Sequence, residues 1–196
     1  ASYARPGDEY VFFEIDPAVA RIAENARWFT YLADCKGQTR LVIDDARHAL
    51  ESEPDGALDL LVIDAFTGDS VPTHLLTREA FALYSRKLGP GGVLALHVSN
   101  KYLDFIPVVE AIAAGGDWMG VYARDIDVDP AAARIPSEWM ALSRSLDSVK
   151  AIYANPTSDR WRWRPLNETP TARPWTDDRT AVIEALWQRC FGQLSL

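Results

Sequence analysis

The stretch "LDLLVIDAF", residues 58–66, decides the fold of this chain. Apolar residues dominate it without the strict alternation of a strand that has one face in solvent, and the strand ends at Asp64. Strands of this kind are typical of parallel sheets that helices cover on both faces. The stretch therefore predicts a central strand that is buried on both faces and ends in a carboxylate.

Predicted strands and helices alternate on both sides of this strand. Further strands are predicted at 10–15, 39–43, 93–98, 121–126 and 139–143. Helices are predicted from Asp16-Pro17 to Gly37, with Val19, Ile22 and Phe29 inward, and over 46–52, 73–88, 103–114 and 177–191. This order predicts an α/β fold with an open, doubly wound, mostly parallel Rossmann-like sheet. The composition of residues 155–178, rich in Pro, Arg and Trp, predicts a long loop that packs across the sheet edge, with a functional lid as the alternative.

The bulk properties bound the class of protein. The chain has 196 residues, which suits a single domain over 1–196, and its formal net charge is -8. The acidic balance argues against a nucleic-acid or anionic-membrane surface. No apolar run approaches the roughly 18 residues that span a bilayer, which predicts a cytoplasmic protein or a cytoplasmic domain. His48, His74 and His97 lack the spacing of metal ligands, so no metal site is predicted.

Acidic residues stand at the ends of three consecutive predicted strands. Glu14 ends the first, Asp44 and Asp45 follow the second, and Asp64 ends the third. Ligands of open α/β sheets bind beyond the carboxyl ends of the strands, where such an acid can accept both hydroxyls of a ribose. We therefore expect Glu14 to bind a ribose and Asp45 to accept a hydrogen bond from an exocyclic amine such as that of adenine.

Each of these acids also has a structural alternative. Glu14 could be a solvent-exposed strand end or a partner in helix capping, and Asp44 or Asp45 could cap the short helix that follows. Asp64 could hydrogen-bond to loop amides, since an unpaired charge beside a buried strand is costly. The sequence leaves these alternatives open.

Residues 58–100, "LDLLVIDAFTGDSVPTHLLTREAFALYSRKLGPGGVLALHVSN", resemble the core of spermidine synthases, the polyamine aminopropyltransferases. The more similar group is the bacterial spermidine synthase-like proteins, some of which are fused to membrane segments. "YVFFEIDP", "VIDDAR", "PSEWMALSR" and "PWTDD" occur in matching order, so the resemblance covers most of residues 1–190. "EIDP" and "LGPGG" are shared with S-adenosylmethionine-dependent methyltransferases, and the resemblance implies the fold common to both families.

The resemblance also implies a cofactor, decarboxylated S-adenosylmethionine, with S-adenosylmethionine as the alternative and no metal. Glu14 would bind its ribose and Asp45 its adenine amine, with Asp44 beside them. Asp64 matches the first acid of the family's "DSSD"-type catalytic motif, and we expect it to face both the cofactor and the attacking amine.

The second acid of that catalytic motif departs from the family pattern. It would fall at position 67, where this chain has Thr67. Asp69, two residues further on, is the candidate to replace it as a catalytic acid. Phe66, Tyr102 and Trp139 are candidates to line an aliphatic amine channel or to face the sulfonium, and core packing is the alternative for each.

The implied reaction sets a requirement on Asp64. An alkylammonium like that of Lys has a pKa of about 10.4 and a free Asp one of about 3.9, so moving the proton between them costs roughly 9 kcal/mol. That is more than half of the roughly 15 kcal/mol barrier of a working enzyme. An ordinary exposed carboxylate cannot take this proton, so we expect burial to raise the pKa of this acid, to lower that of the amine, or to do both.

The chain also lacks parts that the family has. Its first strand, its glycine-rich loop and its N-terminal hairpin unit would precede residue 1, so we expect a truncated catalytic domain. In the family fold the first strand lies between the strands at 10–15 and 59–64. We therefore expect these two strands to close up, or another segment to fill the slot, because rows of unpaired backbone amides are costly in a core.

Three functions follow from this pattern. The first is transfer of an aminopropyl group to a small-molecule amine by a spermidine synthase-like enzyme. The second is a methyltransferase on the same fold, and the third is a non-catalytic, degenerate domain. A homodimer and membrane segments in a longer parent protein stay open, and activity of the 196-residue chain itself is an open question.

Overall fold

The computed structural model describes residues 1–66, 71–125, 127, 129, 131, 134–154, 161–182 and 185. The chain divides into two compact units, an N-terminal unit of Ala1–Glu53 and a C-terminal unit of Pro54–Leu196. Hydrogen bonds join the strands into two sheets, a pair formed by the first two strands and a five-stranded sheet formed by the others. Of the two predicted alternatives, closure of the strands at 10–15 and 59–64 into one sheet is not found among the described residues, and filling of the slot by another segment stays a prediction.

The N-terminal unit is a parallel βαβα arrangement. It consists of β1 (Glu9–Glu14), α1 (Pro17–Ala23), β2 (Gln38–Ile43) and α2 (Ala46–Ser52). β1 and β2 pair in parallel, with Glu14 opposite Ile43. Asp16 caps α1 by accepting a hydrogen bond from the Ala18 N–H at 2.7 Å, and Pro17 follows in the first turn, as predicted.

The first helix is much shorter than its hydrophobic spacing predicts. α1 ends at Ala23, not near Gly37, and Val19, Ile22 and Phe29 are 47%, 53% and 49% exposed. The Asn25 side chain accepts a hydrogen bond from the Arg27 N–H at 3.0 Å, which fixes a turn just beyond the helix. Such local bonds compete with helical backbone bonds.

The C-terminal unit is built on a mixed sheet. Its strands are β3 (Leu58–Ile63), β4 (Leu88–His97), β5 (Met119–Asp125), β6 (Ser137–Ser143) and β7 (Arg164–Pro165), in the order β3-β4-β6-β5-β7. β3 and β4 are parallel, whereas the pairs β4–β6, β5–β6 and β5–β7 are antiparallel. Within this mixed sheet, the parallel pairing that the sequence predicts is present between β3 and β4. The predicted final strand pair, β5 and β6, is antiparallel.

The helices of the C-terminal unit follow the predicted order with one addition. They are a 3-10 turn (Thr73–Leu75), α3 (Arg78–Lys87), α4 (Ile106–Ala114) and α5 (Leu146–Tyr153). α5 was not anticipated, although Ser145 supplies its N-cap by accepting a hydrogen bond from the Ser148 N–H at 3.3 Å. Most of the predicted helix 177–191, with Cys190, lies outside the described residues. No described helix is long and apolar enough to cross a membrane.

β3 is buried on one face only, which corrects the prediction made from its apolar run. Leu61 and Ile63 are 6% and 5% exposed, whereas Leu60 and Val62, on the opposite face, are 56% and 49% exposed. Among the described residues, β4 is its hydrogen-bonded neighbour. An apolar run alone does not say whether both of its faces are covered.

The register between β4 and β6 is fixed by a buried apolar face. Leu94 lies opposite Leu142 and Leu96 opposite Met140, and all four side chains are at most 1% exposed. Because side chains alternate along a strand, a slip of one residue would turn all of them to the other face. The burial of this face therefore also places His97 directly opposite Trp139 on the other face.

The segment after α5 covers one sheet edge and part of the core. β7 pairs with β5 at that edge, as expected for a segment that packs across it. Further on, Trp175 is 1% exposed, and its ring meets that of Phe105 edge to face with centroids 5.8 Å apart. The Trp175 carbonyl accepts a hydrogen bond from the Arg78 N–H at 2.8 Å, and Thr77 Oγ1 donates to Asp177 Oδ1 at 2.7 Å. This segment is thus anchored at the start of α3.

We expect Trp175→Ala to lower the free energy of unfolding by about 3–5 kcal/mol, the usual cost of emptying a large buried aromatic site. Urea unfolding followed by circular dichroism would measure it. Trp28→Ala is the matched control, because Trp28 is 74% exposed and its loss is expected to change stability by less than about 0.5 kcal/mol. Equal effects of the two substitutions would contradict the anchoring role.

Candidate functional site

The acids predicted at the ends of the first two strands lie together in the N-terminal unit. Glu14 is the last residue of β1, and its carbonyl accepts a hydrogen bond from the Asp44 N–H at 3.1 Å. Asp45 follows directly and caps α2. The parallel pairing thus places Glu14, Asp44 and Asp45 at one edge of the β1–β2 sheet.

Each of these acids already has a local hydrogen-bonding role. Glu14 Oε1 accepts a hydrogen bond from the Asp16 N–H at 2.9 Å, and Asp45 Oδ1 accepts from the Arg47 and His48 N–H groups at 2.9 and 3.2 Å. The capping alternatives from the sequence are therefore present in the structure. Binding of ribose by Glu14 and of adenine by Asp45 remain predictions.

Asp44 forms a pair with His48, one helical turn away. Its Oδ2 lies 2.7 Å from His48 Nδ1, and its Oδ1 accepts a hydrogen bond from the Asp45 N–H at 2.8 Å. The hydrogen bond to Asp44, followed by the charge of that carboxylate, raises the pKa of His48. The hydrogen bond to His48 lowers the pKa of Asp44. A ligand that binds Asp44 would have to share its carboxylate with His48.

Asp64 lies just past the carboxyl end of β3, in the C-terminal unit. Its side chain is 53% exposed, so the structure does not show the burial that the apolar run before it allowed. The apolar run before it buries only one face of β3, and nothing in that run forces the following residue inward. Asp64 instead has a close partner: Asp64 Oδ1 is 2.6 Å from His97 Nδ1.

His97 connects Asp64 to a hydroxyl group. Its Nε2 is 2.7 Å from Ser99 Oγ, and Ser137 Oγ lies 3.4 Å from the same nitrogen. Ser99 Oγ in turn accepts a hydrogen bond from the Glu138 N–H at 2.7 Å. Asp64, His97 and Ser99 therefore form a continuous hydrogen-bonded chain at the carboxyl ends of β3 and β4.

Two of the predicted aromatic residues surround His97. The ring of Trp139 is stacked on the imidazole, with centroids 4.5 Å apart and planes at 1° to each other. Phe66 meets the imidazole edge to face at 4.8 Å. We call Asp64, Phe66, His97, Ser99 and Trp139 the His97 cluster. It combines a carboxylate with aromatic faces, which is a combination suited to an organic cation.

The other predicted site residues are not part of the His97 cluster. Tyr102 is 55% exposed, and its ring lies 5.3 Å from Lys101 Nζ. Within the described part of the chain no contact joins Tyr102 to the cluster. Thr67 and the predicted catalytic Asp69 lie outside the described residues.

An apolar groove of about 340 Å³ adjoins the His97 cluster through Trp139. Its other lining residues include Ala95, Ala141, Ile152, Trp161 and Trp163. The rings of Trp161 and Trp163 meet edge to face, with centroids 6.0 Å apart. This groove lies on the sheet face that carries His97, because Ala95 precedes His97 by two residues along β4.

A metal-binding cluster is not found within the ranges that the structure describes, where no three His, Cys, Asp or Glu side chains are placed to share an ion.

The residues that sequence reasoning missed are His97, Ser99 and Ser137. His97 and Ser99 could have been found, since they end the strand that follows "LDLLVID" and the rule used for the acids applies equally to them. The position of Ser137 near His97 could not have been predicted, because it depends on the register between β4 and β6, which the sequence does not show.

The chain is similar in sequence to polyamine aminopropyltransferases of known name. No protein-family model matches the chain. The polyamine aminopropyltransferase of Mycobacterium tuberculosis (strain ATCC 25618 / H37Rv) is 28% identical over 207 residues, which cover 92% of this chain and 37% of that protein. The polyamine aminopropyltransferase of Vibrio vulnificus (strain CMCP6) is 36% identical over 91 residues, which cover 45% of this chain and 28% of that protein.

Among solved structures, a probable spermidine synthase from Corynebacterium glutamicum superposes with a TM-score of 0.59. The match covers 87% of this chain and 64% of that one, at 18% identity, and so bears on the fold. This chain is similar to the polyamine aminopropyltransferases in sequence and to the spermidine synthases in fold. The likeness confirms the predicted fold class, that of the spermidine synthases. The spermidine synthase-like chain spans less than half the length of the curated relatives, 37% in the longer match.

The Asp44–His48 pair of the spermidine synthase-like chain gives a pH-dependent prediction. His48 should titrate above its ordinary range, because its protonated form is stabilised by Asp44. The stability that this raised pKa contributes is fully present below the ordinary His pKa and is lost as the pH rises through the raised value. We expect Asp44→Asn to return the His48 titration, followed by NMR, toward its ordinary range.

Glu51→Gln is the matched control for that experiment, because Glu51 raises the pKa of His48 only through its charge and less than Asp44 does. It should shift the titration of His48 less than Asp44→Asn does. A nucleoside that engages Asp44 should also displace the His48 titration. An unchanged titration in Asp44→Asn would show that the pair does not form in solution.

Proposed function

We propose that the spermidine synthase-like chain carries the core of an aminopropyltransferase. The reaction moves an aminopropyl group from decarboxylated S-adenosylmethionine to a small-molecule amine. The observation that carries the proposal is the His97 cluster, in which a carboxylate and two aromatic rings meet at the carboxyl ends of parallel strands. The names of the curated relatives, both polyamine aminopropyltransferases, support the same reaction.

The nucleoside part of the donor is assigned to the N-terminal unit. In this proposal Glu14 accepts the ribose hydroxyls and Asp45 accepts from the adenine amine, with Asp44 between them. Glu14 is half-buried, and its Oε1 accepts a hydrogen bond from the Asp16 N–H. In the proposal its Oε2 accepts from the ribose. A carboxylate can accept through both oxygens, so capping and ribose binding are compatible.

The acceptor amine is assigned to the His97 cluster. The ammonium group pairs with Asp64, while Trp139 and Phe66 offer aromatic faces to it or to the sulfonium. The aliphatic chain of the acceptor lies in the apolar groove that adjoins Trp139. The described lining residues of the groove carry no charge, so this part of the groove suits methylene groups.

The chemical step is a displacement at carbon. The amine nitrogen forms a bond to the methylene beside the sulfonium, the carbon–sulfur bond breaks, and its electron pair stays on sulfur in methylthioadenosine. The nitrogen must lose one proton. Asp64 is half exposed, so it is not a desolvated carboxylate of the kind that this transfer would otherwise need. The sulfonium supplies the pKa matching, because a positive charge held beside the ammonium lowers the pKa of the amine.

Calorimetric titration tests the donor. The protein as it is naturally expressed should bind decarboxylated S-adenosylmethionine and methylthioadenosine more tightly than S-adenosylmethionine. Glu14→Ala should weaken binding of both by roughly tenfold or more, the loss expected for a hydrogen bond to a charged group. A preference for S-adenosylmethionine would indicate a methyltransferase, and binding of none of the three would indicate a non-catalytic domain.

Asp64→Asn tests the acceptor side. We expect a fall in aminopropyl transfer of at least about a hundredfold, the low end for removing a group that handles the reacting proton. Affinity for methylthioadenosine should stay as in the wild type. Asp59→Asn is the matched control, because Asp59 is an exposed acid in β3, the strand that Asp64 follows. Transfer that survives in Asp64→Asn would remove Asp64 from the mechanism.

A homodimer and a cytoplasmic location remain predictions and are not needed by this mechanism. Asp69 likewise stays a candidate second acid.

A further inference from the structure

We propose that His97 is the positioning residue for Asp64 and holds its carboxylate toward the acceptor amine. The inference rests on the proposed function, since it concerns how Asp64 receives the acceptor amine. It starts from the shortest side-chain contact of the His97 cluster, the 2.6 Å between Asp64 Oδ1 and His97 Nδ1.

The hydrogen-bonding pattern determines which nitrogen of His97 carries the proton. An ionised carboxylate only accepts, so at 2.6 Å from Asp64 the Nδ1 position must be the donor. Nε2 of the neutral ring then accepts, and Ser99 Oγ at 2.7 Å supplies the hydroxyl proton. Ser99 is held by the N–H of Glu138, which donates to its oxygen at 2.7 Å. Backbone, hydroxyl, imidazole and carboxylate thus form one oriented chain.

The ring itself has little freedom to turn. His97 is only 21% exposed at its side chain, stacks in parallel on Trp139 and meets Phe66 at 4.8 Å. A half-exposed carboxylate without such a partner would rotate among several orientations. With Oδ1 occupied by His97, Asp64 presents Oδ2 to the ammonium in a fixed direction. His97 therefore acts on the reaction through Asp64 and touches neither substrate.

Two substitutions of similar size separate this role from simple packing. Asn places an amide nitrogen close to where Nδ1 of His stands, so His97→Asn can still donate to Asp64. Gln reaches toward the Nε2 position instead, so His97→Gln can contact Ser99 but leaves Asp64 unpaired. Both variants lose the stacked imidazole equally, and loss of packing alone would therefore affect them alike.

The experiment measures steady-state aminopropyl transfer by the naturally expressed protein and its variants, with the acceptor varied at saturating donor. His97→Gln should lower kcat/KM for the acceptor by roughly ten- to a hundredfold, as for loss of a hydrogen bond to a charged group. His97→Asn should stay within about threefold of the wild type. Affinity for methylthioadenosine, measured by calorimetry, should not change in either variant.

The outcomes separate the two proposals. Equal losses in His97→Asn and His97→Gln would overturn the positioning role while leaving aminopropyl transfer in place. A wild-type protein that transfers no aminopropyl group would overturn the proposed function, and this inference with it. Nitrogen NMR of the imidazole gives a direct check of geometry. The proton should reside on Nδ1 in the wild type, and an Nε2-protonated wild-type ring would contradict the inference.

Discussion

The register between β4 and β6 is the constraint on which the candidate site depends. Leu94, Leu96, Met140 and Leu142 fill one buried face, and a shift of one residue would expose all of them. The core therefore fixes the positions of residues that do not belong to it. On the opposite face the same register sets Trp139 against His97, and the parallel pairing of β3 with β4 brings Asp64 to the same edge. A site of polar and aromatic side chains is positioned by apolar packing on the other side of one sheet.

The two groups of acids use their carboxylates in different ways. In the N-terminal unit, Glu14, Asp44 and Asp45 hold turns and a helix start, so each carboxylate is oriented before any ligand arrives. Capping an N-terminus and accepting ribose hydroxyls need the same property, an ionised oxygen at a strand end. The capping and ligand-binding interpretations of these residues are therefore not exclusive. In the C-terminal unit Asp64 caps nothing within the described residues, and a histidine orients it instead.

Much of the fold could be predicted from sequence, and the failures have physical causes. β2, α2 and the Asp16-Pro17 helix start followed from hydrophobic pattern and capping residues, which act locally. The predicted length of α1 was wrong because the chain turns at Asn25, although apolar residues continue at helical spacing beyond it. The prediction that β3 is buried on both faces was wrong, as the exposure of Leu60 and Val62 shows. Whether a strand face is buried depends on segments that are distant in sequence. Asp64, Phe66 and Trp139 could be named as candidates from residue type and position. The contact that joins them to His97 could not be predicted, since it requires the order of strands in the sheet.

In the proposed aminopropyl transfer, the half exposure of Asp64 determines where the driving force for proton removal must come from. A buried lone carboxylate would raise its own proton affinity but would also bind a cationic substrate only after costly desolvation. An exposed carboxylate avoids that cost and attracts the ammonium, but it cannot by itself close a gap of about 6.5 pKa units. Two features remain to close it: the positive charge of the sulfonium, which acts on the amine, and the water that aromatic side chains exclude once the amine is bound. Both appear only when donor and acceptor are present together. On this argument the proton is lost only in the ternary complex, and an amine that binds without the donor stays protonated against Asp64.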